Sequence, residues 1–175
     1  SIDIRVLFYR KDVIKEVFKT KPIGWNPFKD RDSFRQTCKT INHLKKQGKI
    51  NKDNFDCEIM APFVIPTGKE WNLVHNLAPW IWGAGGDMFT IWPLGYKSAT
   101  FSNKEGLDGL KFYAGLAREG CAFLSPKRQI EVDEEFIDGR YAMLISGPWM
   151  MEKLKDKLGY RWETKVGITL PPVNT

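Results

Sequence analysis

The sequence contains no G-x-S-x-G, no H-E-x-x-H and no glycine-rich phosphate loop carrying a lysine. Nucleophilic-serine, zinc-protease and P-loop chemistry therefore lack their usual carriers. Histidine is scarce, His43 and His75 being the only two, and the three cysteines Cys38, Cys57 and Cys121 stand apart with no C-x-x-C pair. A zinc site needs clustered thiolates and imidazoles, and neither histidine is spaced to supply one. Three isolated cysteines leave room for one disulfide, but buried free thiols are the expectation, and no disulfide scaffold is encoded. No apolar run approaches the ~20 residues that cross a bilayer. Ser1-Ile2-Asp3-Ile4-Arg5 has neither the basic nor the apolar region of a signal peptide, which leaves open a chain that begins after one.

What is present is the composition of a folded protein with a real core: 175 residues, 42% hydrophobic and 27% charged, in the size range of one domain. Seven tryptophans is a high count, and many of them stand next to glycine or proline. The net charge of +6 comes from 27 basic and 21 acidic residues. Its clusters, Lys45-Lys46-Gln47-Gly48-Lys49 and Lys153, Lys155 and Lys157, read as solvated helix faces or ends. No nucleic-acid recognition motif accompanies them, so a nucleic-acid partner is not expected.

Strand and helix patterns alternate along the chain. Ile2, Ile4, Val6 and Phe8 have strand periodicity, and Lys11–Lys19 carries apolar residues at helical spacing. A longer helix is predicted from about Asp32 to Gln47, with Gly48 as its stop. The apolar run 59–65 is interrupted by Pro62, which points to a sheet edge or a strand end. A helix from Glu70 to Trp82 ends at Gly83-Ala84-Gly85-Gly86, and a short strand follows at Lys97–Phe101. Asn103–Glu119 reads as an amphipathic helix burying Leu107, Leu110, Tyr113/Ala114 and Ala117, capped by Ser102 or Asn103 and ended by Gly120. A short helix at Glu134–Asp138, a buried strand at Tyr141–Ile145, a helix at Trp149–Leu158 and a last strand at Lys165–Leu170 complete the pattern. This order predicts an α/β sheet layered with helices, with ligands held beyond the strand ends.

Few residues invite chemistry. The glycines at 83–86 end a helix instead of opening one, so they lack the amide geometry of an anion loop. Asp133, Glu134 and Glu135 sit at the predicted start of a short helix, where negative charge is favourable without any catalytic role. More informative is Ile145-Ser146-Gly147-Pro148-Trp149-Met150-Met151, where a bulky indole stands on a turn. Either Trp149 closes the core under the turn, or it is held at a rim to meet something flat and partly apolar. Trp80 and Trp82 pose the same choice, with core packing the expectation for one of them. Aromatics at loop–helix junctions, with small residues and polar Asn76, Asp87 and Ser146 nearby, suit sugar recognition. They would equally suit a tryptophan-rich protein interface.

The order of segments resembles family 1 extracellular solute-binding proteins of ABC importers, the maltose-binding-like group. Arg5–Asp12 (RVLFYRKD) is similar to that family's "LxYxKD" element, and Trp25 before the long helix to its "P-x-T-W-x-E" motif. Trp80–Asp87 (WIWGAGGD) resembles its helix ending in "GG", and Phe101–Gly106 (FSNKEG) its "FNSPEG" helix start. Glu135–Met143 followed by Ile145–Trp149 resembles "AFxxGKxAMxxxGPW", and Val166–Pro171 resembles "xGVxPLP". Six elements in order cover nearly the whole chain.

The resemblance implies a periplasmic-binding-protein type II-like lobe, a mixed sheet flanked by helices. Residues 1–175 would form one lobe, the second of a two-lobe protein whose first lobe and C-terminal tail lie elsewhere. It also implies solute binding, with carbohydrate the expected ligand, and import through a membrane ABC permease. No chemistry and no cofactor are expected, and the location would be periplasmic or extracellular, lipoprotein anchoring included. Carried over by position, Trp149 matches the GPW tryptophan that stacks on sugar in many members. His75, Asn76 and Trp80 or Trp82 fall on the helix where members place further contacts, and Gly85, Gly86 and Asp87 line the same edge. Two other readings stand beside this one: a protein-interaction module using the same aromatics, and a glycoside-processing enzyme. The latter requires two carboxylates about 5–10 Å apart across one cleft, and the sequence offers no convincing pair.

Overall fold

A computed structural model describes residues 4–51, 58–91, 93–95 and 97–174. Ile2 and Cys57, both read above, lie outside the described residues. The central sheet has five strands: β1 (Val6–Arg10), β2 (Ala61–Pro66), β5 (Ala122–Ser125), β6 (Tyr141–Ser146) and β7 (Val166–Thr169), in the order β5-β2-β6-β1-β7. β2 is parallel to β5 and β6, while β1 is antiparallel to β6 and β7. Four strands thus point one way and β1 the other, the mixed sheet the resemblance implies. A separate hairpin pairs β3 (Phe89–Ile91) with β4 (Lys97–Ala99). β4 is the strand expected at Lys97–Phe101, whereas β3 and β5 have no counterpart among the expected strands.

The helices are α1 (Lys11–Phe18), α2 (Arg31–Lys46), α3 (Asn72–Trp82), α4 (Lys104–Arg118), α5 (Gln129–Ile137), α6 (Trp149–Leu158) and the short α7 (Trp162–Lys165). Alternation along the strands divides the core into two layers. Leu7, Phe63, Ile65, Met143 and Ile145 face one cluster with Phe34, Ile41, Trp80 and Leu116. Phe8, Val64 and Leu144 face the other, with Val132, Phe136, Met150 and Trp162. One sheet buried on both sides needs apolar residues at consecutive positions, which is why β2 and β6 read as continuous apolar runs.

Several expectations are corrected here. Of the two alternatives for Pro62 the strand end holds and the sheet edge does not, because β2 pairs with neighbours on both sides and Pro62 is its second residue. Its missing N–H is tolerated near the strand's beginning, as pairing to β5 starts only at Phe63. The buried face of α4 is Gly106, Gly109, Phe112, Tyr113, Gly115 and Leu116, with Leu107 exposed. Gly109 takes a place on that face because α3 and α4 meet backbone to backbone there. A Cβ on Gly109 would stand 2.5 Å from the Trp80 carbonyl oxygen. Asn103 caps α4 as expected, its side chain accepting from the Gly106 N–H at 2.8 Å.

Free thiols were the expectation at Cys38 and Cys121, but the two form a disulfide that joins α2 to the residue preceding β5, their Cα atoms 5.1 Å apart. They are 83 residues apart in sequence, which is why no local pattern announced the pair. No helix among the described residues is long and apolar enough to cross a membrane.

Candidate functional site

The parallel strands deliver three helix N-termini to one edge of the sheet. α3 follows β2, α5 follows β5 and α6 follows β6, while β1, running backwards, begins at that same edge with Val6 opposite Ser146. Arg5, just before β1, joins the group. A groove of about 410 Å³ opens there, lined by Glu70, Asn72, Gln129, Ile130, Trp149 and Lys153. Such crevices beyond the carboxyl ends of strands are where α/β sheets hold ligands.

Each wall is tied to the next. The Arg5 guanidinium donates to Asn72 Oδ1 at 2.6 Å and to Asn76 Oδ1 at 3.3 Å. Asn76 Nδ2 donates to Gln129 Oε1 at 2.6 Å, and the Gln129 backbone N–H donates to the Glu70 carboxylate. Gly68 allows the two loops to touch, because a Cβ there would meet the backbone of Lys127 and Arg128 at 2.8 Å. Glu131 accepts from the Arg128 N–H at 3.0 Å, closing the first turn of α5.

Trp149 is 37% exposed, whereas Met150 beside it is fully buried and Met151 is exposed. The indole lies against Gly147, where a Cβ would come within 2.1 Å of Cζ3, so any side chain there would displace the ring. The Arg5 guanidinium sits over the ring, 4.7 Å from its centroid, a cation–π contact. At the ring edge, Nε1 donates to Asp133 Oδ2 at 2.8 Å. Asp133 Oδ1 accepts from Ser146 Oγ at 2.9 Å and Gln129 Nε2 at 2.7 Å. Burial pushes the Asp133 carboxyl above its usual pKa, while bonds from Gln129, Trp149 and Ser146 and the nearby Lys153 charge pull the other way.

The sequence-named positions separate into distinct places. Asn76 is buried and serves the network under the groove. Trp80, named as a contact, has no exposed surface and packs among Phe34, Phe63, Phe112 and Tyr113. His75 is half-buried in the first turn of α3, next to Asn76. Trp82, Gly85, Gly86 and Asp87 gather at the far end of α3, about 15 Å from Asn72 at 1.5 Å rise per residue. There the Trp82 indole N–H donates to Asp87 Oδ1 at 3.3 Å, and Gly86 packs against Gly106. Trp149 and Asn76 therefore share one neighbourhood, and the 82–87 set forms another.

Asp133 is the residue that sequence reasoning undervalued. α5 starts at Gln129, so Asp133 belongs to its second turn and not to its N-terminus. Val132, Phe136 and Ile137 are the buried apolar residues around it. An acid on that face was the available signal. Glu135 meets Lys127 and Tyr141 instead, at 2.7 and 3.0 Å, so the two carboxylates do not flank one cleft. No group of three or more potential metal ligands occurs among the described residues.

No protein-family model matches the chain, and no curated protein matches it. Its fold, however, recurs in solved structures. An ABC-transporter solute-binding protein from Thermotoga lettingae bound with α-D-tagatose superposes with a TM-score of 0.73 at 21% identity, over 98% of this chain and 40% of that one. Maltose-bound MalE3 of T. maritima gives 0.70 at 17% identity, over 98% and 39%. UgpB from Mycobacterium tuberculosis, in complex with glycerophosphocholine, gives 0.67 at 12% identity, over 98% and 36%. The chain has the periplasmic-binding-protein type II fold of these solute-binding proteins, as the sequence resemblance implied, and spans about two fifths of their length.

Proposed function

We propose that this chain is the second lobe of a two-lobe solute-binding protein that captures a small solute, carbohydrate foremost, for an ABC permease. The observation that carries this reading is the position of Trp149. A partly exposed indole stands where three helix N-termini meet beyond the strand ends, in a groove otherwise lined by Glu70, Asn72, Gln129, Ile130 and Lys153. An apolar wall beside amide, carboxylate and ammonium groups suits a ligand with one apolar face and several hydroxyls. The fold shared with tagatose- and maltose-bound proteins supports the same class. No bond is made or broken: the solute is trapped between lobes and released to the transporter, outside the cytoplasmic membrane.

One lobe supplies half of the contacts, so the chain alone is expected to bind with a Kd of roughly millimolar or weaker, each ~1.4 kcal/mol lost costing tenfold. The test is titration of maltose, α-D-tagatose and glycerophosphocholine against tryptophan fluorescence, with the protein and its Trp149→Ala variant. A saturable change for one of them, abolished in the variant, is expected. Equal affinity in the variant would remove Trp149 from the site.

A second reading, a protein-binding face, is favoured by Trp71. It is 84% exposed at the start of α3, with Leu73 and Val74 also exposed. Concentration-dependent size in sedimentation, with no response to any of the three solutes, would establish it.

A further inference from the structure

Trp149 is held by a residue that does not line the groove. The indole N–H can only donate, and its acceptor is Asp133 Oδ2, on a side chain with no exposed surface. A buried carboxylate is costly to keep, and α5 packs here on apolar Val132, Phe136 and Ile137. The charge therefore calls for a reason other than packing.

The hydrogen bonds supply it. Both Asp133 oxygens receive donors: Trp149 Nε1 on one, Ser146 Oγ and Gln129 Nε2 on the other. Gln129 cannot turn its amide over, because Oε1 already accepts from Asn76 and Nε2 also reaches the Ile145 carbonyl at 3.1 Å. Lys153 Nζ stands 3.8 Å from Oδ2 on the α6 side, and Arg5 covers the indole from the β1 side. An asparagine would put an N–H where an acceptor is needed, facing either the indole or the Gln129 amide.

We propose that Asp133 is a positioning residue: it fixes the orientation of the Trp149 indole against Arg5, so that the groove presents a preformed wall before any solute arrives. The proposal rests on Trp149 being a solute contact and adds what sets its geometry. Preorganisation of this kind removes the ordering cost that a free indole would bring to binding.

The test compares ¹H–¹⁵N spectra of the protein, Asp133→Asn and Asp133→Ala, with Trp149→Phe assigning the Trp149 indole signal. In Asp133→Ala, which removes the acceptor, that signal should leave its hydrogen-bonded position and exchange with water about tenfold faster or more. In Asp133→Asn it should shift by less, to the position set by a neutral amide oxygen in place of the carboxylate. The Trp80 indole signal should stay in place. A Trp149 signal unmoved in Asp133→Ala overturns the proposal, and so do indole signals that all shift together, which would make Asp133 a general stability residue. Failure of the solute reading is seen separately, as unchanged solute affinity in Trp149→Ala while the spectra behave as expected.

Discussion

Trp80 is sealed between Phe34, Phe63, Phe112 and Tyr113 with its indole N–H buried and unpartnered, while Trp149 is 37% exposed with its N–H bonded to a buried carboxylate. The core indole is immobilised by close contact on every side, so its orientation needs no polar partner. An unmade bond costs about 1–3 kcal/mol, and there the packing outweighs it. At the rim, neighbours cover only part of the ring, and the N–H bond to Asp133 sets its angle together with Arg5 over its face. The same residue type is thus held by shape in one place and by electrostatics in the other. A close-packed layer serves stability, and a polar-clamped rim can serve recognition.

The largest break to this contrast is expected on the close-packed side. Replacing Cys38 and Cys121 together by serine opens a loop of 83 residues, and chain entropy puts the loss at about 4.5 kcal/mol. Urea unfolding midpoints with and without the pair measure it, and a midpoint unchanged by the double substitution would mean the staple is idle. Trp80→Ala should cost somewhat less, roughly 4 kcal/mol, from the cavity left in that layer. Trp149→Ala should cost less again, about 2 kcal/mol, since its ring is partly exposed and the space it leaves opens to water, the main loss being the donor to buried Asp133. Equal losses at the two tryptophans would erase the distinction.

The smallest effect is a slope. Burial raises the Asp133 carboxyl above the ordinary aspartate value of 3.8, so the folded state holds that proton more tightly than the unfolded chain does. Its contribution to stability is full below that value and is lost as pH rises through the folded pKa. The stability difference between the protein and Asp133→Asn should therefore decline from pH 4 towards pH 7. Unfolding midpoints across that range test the sign, and a difference that grows with pH would show the hydrogen bonds outweighing burial.

Much of the architecture was legible because periodic patterns report it directly. Trp149–Leu158 was read with the bounds the structure gives, since Gly147-Pro148 marks the start and the apolar spacing of Met150 and Leu154 marks the face. α4 is legible along the chain and keeps Tyr113 on its buried face, but Leu107 is exposed and Gly109 buried, because hydropathy values leucine above glycine and cannot see another helix backbone approaching. β5 was missed for a related reason: Ala122–Ser125 has only four residues, and two of them are exposed at the sheet edge. In the candidate site, Trp149 was found from a bulky residue on a turn. Asp133 is hidden in the sequence because the pattern starts its helix at Glu134, five residues later than Gln129.

The sequence by itself determined the alternation of strands and helices, the absence of familiar catalytic and zinc motifs, and the turn that carries Trp149. These follow from local periodicity, backbone sterics and residue chemistry, all readable within a few neighbours. Only the tertiary structure decided that Cys38 meets Cys121, that Trp80 goes inside, that Gly109 is the contact point of two helices, and that Asp133 lies under Trp149. Each of those depends on segments many residues apart arriving at one place. The strand order and the direction of β1 bring them there, and no local pattern records either.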